Sequence, residues 1–316
     1  MSEADPTHTE ESRERVPGGN EPPAPRVAPE AEGLDRSALE LAAHYAGAHA
    51  ARALLVLRRG HIVFERYWHG TGFETLTDSQ SLARVVAALT TLRAISERRI
   101  GWLDQPVGQL MPELKDEARG AHTVRSLLGL AGRGADFTLL AQVLERVAGD
   151  RYSQFLSRVL WRRIGAADAS LELEGAAPRI GCCMRVAQGD WIRVAELLLQ
   201  DGKYRGEEVL RPGFTLQLRR PAPPETGAAS FVPLDDAPPP SGEAPAARDM
   251  TLLAARGGHR MWLMPSLQLA IVRLGSAPAA SAGWDEGRIP NTIARGLRDR
   301  PASTGDRDIS SIVPHH

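Results

Sequence analysis

The hydrophobic pattern is clearest in the middle of the chain. Residues 35–50, DRSALELAAHYAGAHA, are rich in Ala and Leu and predict a helix, with Asp35 or Ser37 available to cap it. Two apolar runs follow, ALLVLRR (53–59) and HIVFERYW (61–68), parted at Arg59-Gly60, where the pattern reads as a hairpin. Leu82, Val85, Val86, Leu89, Leu92 and Ile95 recur at helical spacing, so 80–98 is predicted to be an amphipathic helix with one buried face. Further helices are predicted at 123–130, 139–148, 152–163 and 190–200. Residues 250–265 and 267–275 read as two strands joined near Pro265-Ser266, and a last helix covers 291–298. Strands near both chain ends with helices between them predict one sheet assembled from the two ends around a mostly helical insert, an α/β fold of the α+β kind.

Three stretches break the pattern. Residues 1–33 hold Pro6, Pro17, Pro22, Pro23, Pro25 and Pro29 and hardly a large apolar side chain, which predicts a disordered tail. Residues 301–316, PASTGDRDISSIVPHH, read as a second flexible tail. Residues 221–247 contain eight prolines, which remove backbone donors and block helix and central strand alike, so a long surface loop is predicted there. One domain then spans 34–300, with its helical insert at about 99–215.

Composition narrows the classes. With 42% hydrophobic residues in 316, a sizeable core can form. A formal net charge of -1 gives no overall field favouring nucleic acid or an anionic membrane, so neither is an expected partner. No apolar run approaches the ~18 residues of a membrane span, and the first residues lack an apolar leader segment, which predicts a cytoplasmic location. Cys182 and Cys183 are adjacent. Neighbouring cysteines rarely pair, so they are expected to pack as small apolar residues. Of 38 basic residues only Lys115 and Lys203 are lysine.

Several chemistries are missing their motif. There is no G-x-x-x-x-G-K-[ST], no third glycine placed after Gly132-Arg133-Gly134, and no G-x-S-x-G. There is also no H-E-x-x-H and no Cys/His ligand spacing, and His315-His316 reads as a solvated tail, so neither a metal nor a cofactor is expected.

The informative stretch is 54–114, where two strands lead to a serine at a helix start and then to R-R-I-G, L-D-x-P-V and P-E-L. With HTVRSLLGL (122–130), the segments 137–169 and 189–213, RGGHRMWLMPSLQLAIVRLG (256–275) and WDEGRIPNTIARG (284–296), it resembles the serine β-lactamase and penicillin-binding-protein superfamily. The likeness is to the class C-like branch with esterases and 6-aminohexanoate-dimer hydrolases. It implies the β-lactamase/transpeptidase-like fold and ester or amide hydrolysis through an acyl-enzyme.

That chemistry needs a serine and a lysine one helical turn apart, so that a neutral amine takes the hydroxyl proton. The matching positions are Ser81-Leu82-Ala83-Arg84, with Ser81 at the nucleophile position and Arg84 in place of the base. A guanidinium stays protonated, so Arg84 cannot act as a base. The resemblance also implies a tyrosine loop between the 123–128 and 140–146 helices, but the short linker here contains no tyrosine. A third element, Arg256-Gly257-Gly258, matches in part a Lys/His-Thr/Ser/Gly-Gly triplet that lines the cleft, where Arg256 would hold a carboxylate. By resemblance, the N–H groups of Ser81 and His259 form the oxyanion hole.

Plainer readings stand beside these. Ser81 is read first as a cap of the 82–98 helix, and Arg84 as an ion-pair partner of Glu65 or Asp78. Gly257-Gly258 is equally a bulge or turn, His259 a strand residue, and Asp104 a turn residue before Pro106. The sequence therefore predicts a degenerate hydrolase, impaired or inactive, that takes at most a small ester, amide or carboxylate ligand. A slow residual esterase or amidase is the alternative.

Overall fold

The computed structural model describes residues 12–130, 134–220, 229–231, 243–255, 257–278 and 283–298. In chain order the strands are β1 (Arg13–Val16), β2 (Ala51–Arg58), β3 (His61–Tyr67), β4 (Leu76–Asp78), β5 (Ala169–Glu174), β6 (Ala177–Pro178) and β7 (Met184–Ala187). They continue with β8 (Lys203–Tyr204), β9 (Glu207–Glu208), β10 (Arg219–Arg220), β11 (Ala229–Phe231), β12 (Thr251–Ala254), β13 (Arg260–Met264) and β14 (Leu269–Gly275). The helices are α1 (Arg36–Ala48), α2 (Ala83–Ser96), α3 (Val107–Leu110), α4 (Val124–Leu127), α5 (Phe137–Ala148), α6 (Tyr152–Leu156), α7 (Asp190–Leu199) and α8 (Arg288–Arg295).

The main sheet runs β10-β11-β12-β13-β14-β2-β3, antiparallel throughout except where β11 lies beside β12. The two chain ends meet where β14 pairs with β2. The run ALLVL in β2 is apolar at every position because both faces are covered. Ala53, Leu55 and Leu57 belong to the core shared with α2 and α7, and Leu54 and Val56 to the core under α1 and α8. Each such leucine contributes roughly 1.5–3 kcal/mol by leaving water. Asp35 caps α1 by accepting the Ser37 N–H at 2.9 Å.

Three expectations are corrected. First, the sheet is not single: β1, β5, β7 and β4 form a second one, with β6 added to β5. Its strands are two to six residues long, too short to carry a readable period. Second, 250–265 is not one strand but β12 and β13, paired antiparallel across a turn at Gly257-Gly258. Gly258 has φ +111, and a Cβ there would lie 2.3 Å from backbone atoms of Ser276 and Ala277, so only glycine fits. Third, residues 12–33 are not a disordered tail. Val16 is fully buried, Arg151 binds Glu14 at 2.8 Å, and the Asn20 N–H reaches the Ala166 carbonyl at 3.0 Å. Further along, the Val27 N–H donates to the Ile62 carbonyl at 3.1 Å and the Ile62 N–H donates to the Pro25 carbonyl at 2.9 Å, which ties the segment to β3. The segment is a strap joining the second sheet to the main one, ordered by backbone bonds and ion pairs more than by apolar burial.

Residues 1–11 and the expected tail at 301–316 lie outside the described residues. So does most of the proline-rich stretch, although Ala229–Phe231 within it forms β11 rather than loop. The expected helical insert carries α3 to α7, and also β5 to β9. Among the described residues no helix is long and apolar enough to cross a membrane.

Candidate functional site

The chain reaches Ser81 from β4, whose end is fastened to β7. The Ser79 N–H donates to the Met184 carbonyl at 2.7 Å, and the Met184 N–H donates to Ser79 Oγ at 3.1 Å. The next residue, Gln80, sits at φ +51, held there by its N–H on Asp78 Oδ1 at 2.7 Å. This left-handed backbone costs a non-glycine residue about 1 kcal/mol. It turns the chain into a single 3₁₀ turn, Gln80–Leu82, that places Ser81, half-buried, just ahead of α2. The cap position of α2 falls on Leu82, one residue past Ser81.

Arg84 lies one turn further on. Its Nε donates to the Gly181 carbonyl at 3.2 Å, and its guanidinium lies 5.2 Å from the centre of the Phe137 ring. The partners expected from the sequence are engaged elsewhere: Glu65 accepts from Arg26 and Tyr67, and Asp78 Oδ1 accepts from Gln80. Phe137 opens α5, just after the linker in which the tyrosine is missing, and offers Arg84 an aromatic face without a hydroxyl. Residues 131–133 of that linker are outside the described set.

Gly181 leads into the two cysteines. They are joined in a disulfide, contrary to the expectation of unpaired neighbours. Cys183 adopts a left-handed backbone, φ +66, a chain reversal that no rule based on spacing alone anticipates.

The third wall is the turn before β13. Arg256 lies outside the described residues. The Gln80 carboxamide covers Gly257, where an added Cβ would come within 2.3 Å of it. The His259 N–H donates to Gln80 Oε1 at 3.3 Å, and Gln80 Nε2 donates to the Gly275 carbonyl at 3.4 Å. The His259 ring is buried. As the neutral tautomer it donates from Nε2 to the Asp78 carbonyl at 2.9 Å and accepts the Gly275 N–H at Nδ1, 3.2 Å away. Burial pushes its pKa down to about 4, so the ring is uncharged at neutral pH and clamps β4 to β14.

The structure therefore brings the Ser81 turn and the Gly257–His259 turn together through Gln80, while Arg84 faces Gly181 and Phe137. Sequence reasoning missed Gln80 and Phe137. The only available clue was a long polar residue wedged between two serines at a helix start. Asp104 is a turn residue as expected, held by Arg125 through two bonds of 2.7 and 3.0 Å. A cavity of about 1020 Å³ opens elsewhere, between the N-terminal strap and the start of α7, lined by Glu21, Arg26, Phe73, Asp190 and Arg193 among others.

Comparison with known proteins decides the family. The model of the β-lactamase family matches residues 39–288. The chain belongs to the β-lactamase family. Among solved structures, it is similar to a Bacillus anthracis protein provisionally assigned as a 6-aminohexanoate-dimer hydrolase, at 16% identity, TM-score 0.63, covering 90% of this chain and 89% of that one. A penicillin-binding-protein homologue from Caulobacter crescentus matches at 14% identity and TM-score 0.59, covering 85% and 98%. A class C β-lactamase from Rhodobacter sphaeroides matches at 14% identity and TM-score 0.54, covering 82% and 98%. Identities this low establish the shared fold. No curated protein matches the sequence. Within this β-lactamase-family fold, the mixed α/β architecture with antiparallel sheets agrees with the fold class read from the sequence.

Proposed function

We propose that this chain is a serine-hydrolase-like member of the β-lactamase family in which ester or amide hydrolysis through an acyl-enzyme on Ser81 is impaired or lost. The observation that carries this reading is the group one turn from Ser81. Arg84 is a guanidinium, permanently charged, and cannot accept the hydroxyl proton. Two neighbours support it. Phe137 beside Arg84 has no hydroxyl to share in proton transfer, and Gln80 Oε1 occupies the His259 N–H that the family resemblance assigns to the oxyanion. Proton transfer by a positioned base is worth ~10²–10⁴ in rate and one oxyanion donor ~10²–10³. Together they place any remaining hydrolysis below about a ten-thousandth of an intact relative's. The site that remains suits, at most, a small ester, amide or carboxylate ligand near Arg84.

Turnover of a chromogenic short-chain ester and a chromogenic cephalosporin, compared between the natural chain, Ser81→Ala and Arg84→Lys, tests the proposal. The first two are expected to match, and Arg84→Lys is expected to stay far from normal turnover because Gln80 and Phe137 are unchanged. A natural chain more than about tenfold faster than Ser81→Ala would favour a slow residual esterase or amidase. Near-normal rates in Arg84→Lys would show that only the base was lost.

A further inference from the structure

We infer that Cys182–Cys183 is a reversible redox-modification site, reduced by a dithiol, and that its oxidation state is passed to the turn carrying Ser81. The inference is independent of whether Ser81 acylates.

The first ground is placement. Both cysteines are partly exposed, so a reductant can reach them. They lie between two attachments to the Ser81 region. On one side the Gly181 carbonyl accepts from Arg84 Nε at 3.2 Å. On the other, Met184 exchanges bonds of 2.7 and 3.1 Å with Ser79, two residues before Ser81. A change in the backbone at 182–183 therefore pulls on both ends of the segment 79–84.

The second ground is conformation. Cys183 holds φ +66, a region that costs a residue with a Cβ about 1 kcal/mol or more. Ring closure between adjacent cysteines restricts the peptide to such a turn, and opening the ring releases the restriction. The Cys183 carbonyl also accepts from Arg13 Nη2 at 2.8 Å and from the Glu172 N–H at 3.2 Å, so release reaches β1 and β5 as well.

The third ground is electrostatic. Two guanidinium groups, Arg84 and Arg13, bind the carbonyls of Gly181, just before the disulfide, and of Cys183 within it. Positive charge nearby favours the thiolate, which is both the better leaving group in reduction and the nucleophile in re-oxidation. The balance is complete. One thiolate of the dithiol attacks a cysteine sulfur and breaks the S–S bond, giving a mixed disulfide and a Cys thiolate. The second dithiol sulfur then displaces the other cysteine, leaving an oxidised dithiol and, after protonation, two thiols on the protein.

The test uses the intact natural chain under native conditions. It is treated with iodoacetamide before and after dithiothreitol and weighed by mass spectrometry. Amide hydrogen exchange is followed in both states for peptides covering 76–90 and 179–188. The inference predicts no alkylation before reduction and two alkyl groups after it. It also predicts exchange rising several-fold at the Ser79, Leu82 and Met184 amides, reversed by oxidised dithiothreitol. The variant with Cys182→Ser and Cys183→Ser should exchange like the reduced chain. Two alkyl groups before reduction, no alkylation after native reduction, or identical exchange in the two states would each overturn it.

Discussion

At Gln80 a single side chain joins the turn that carries Ser81 to the turn before β13. Its carboxamide spans from the His259 N–H to the Gly275 carbonyl and fills the space that Gly257 leaves open. His259 beside it is a clamp rather than an acid or base. Its depressed pKa, about 4 against an ordinary 6.5, makes a pH prediction with a definite sign. In the unfolded chain the imidazole takes up a proton below about pH 6.5, while the folded chain resists protonation until about 4. Stability from this group is therefore complete above pH 6.5 and is lost as pH falls through 6.5 towards 4, by about 3 kcal/mol at the end of that window. Urea unfolding at pH 7 and pH 4.5 checks this. His259→Asn should remove most of the difference, and an unchanged pH dependence in that variant would show that other groups carry it.

At the scale of elements, the long periodic segments were legible and the short ones were not. The helix at 139–148 and the strands at 53–59, 61–68 and 267–275 stand close to their predicted places because each buries a continuous apolar face. The second sheet was illegible. β4 and β7 are three and four residues long, and their pairing spans a hundred positions of sequence. Likewise the strap at 12–33 reads as disordered because its order comes from charged and backbone bonds that no local pattern records. Near Ser81, Arg84 one turn on and a 129–136 linker without tyrosine were visible in the sequence. The Gln80 contacts and the disulfide were not, because both depend on left-handed backbone at one residue. Helix ends give a direct check at this scale. Asp136 Oδ1 accepts the Leu139 N–H at 2.8 Å and caps α5, which presents Phe137 to Arg84. Asp136→Ala should cost about 1 kcal/mol of unfolding free energy in urea titration. A change within ~0.2 kcal/mol would mean that the cap contributes nothing here.

Across the whole molecule, one buried ion pair joins parts that are distant in sequence. Arg193 binds Asp190 at 3.0 Å, the Ile164 carbonyl at 3.2 Å, the Tyr204 hydroxyl at 3.0 Å and the Glu21 carbonyl of the strap at 2.5 Å. Burial pushes the Asp190 carboxyl upward, against the pull of the Ala167 N–H and Arg193. Removing the guanidinium would strand that carboxylate and three acceptors. Arg193→Met is expected to destabilise the fold by about 3–5 kcal/mol in urea unfolding, and a loss below ~1 kcal/mol would contradict this account of how the strap is held.

Ser81 stands just ahead of α2 with the Arg84 guanidinium one turn away, and the proposed loss of acylation turns on that pair. The most direct measurement is intact mass after incubation with a fluorophosphonate, with Ser81→Ala alongside. No covalent adduct is expected on the natural chain at concentrations and times that label an intact family member fully. A stoichiometric adduct that vanishes in Ser81→Ala would contradict it, because it would require a proton acceptor for that hydroxyl which Arg84 cannot be.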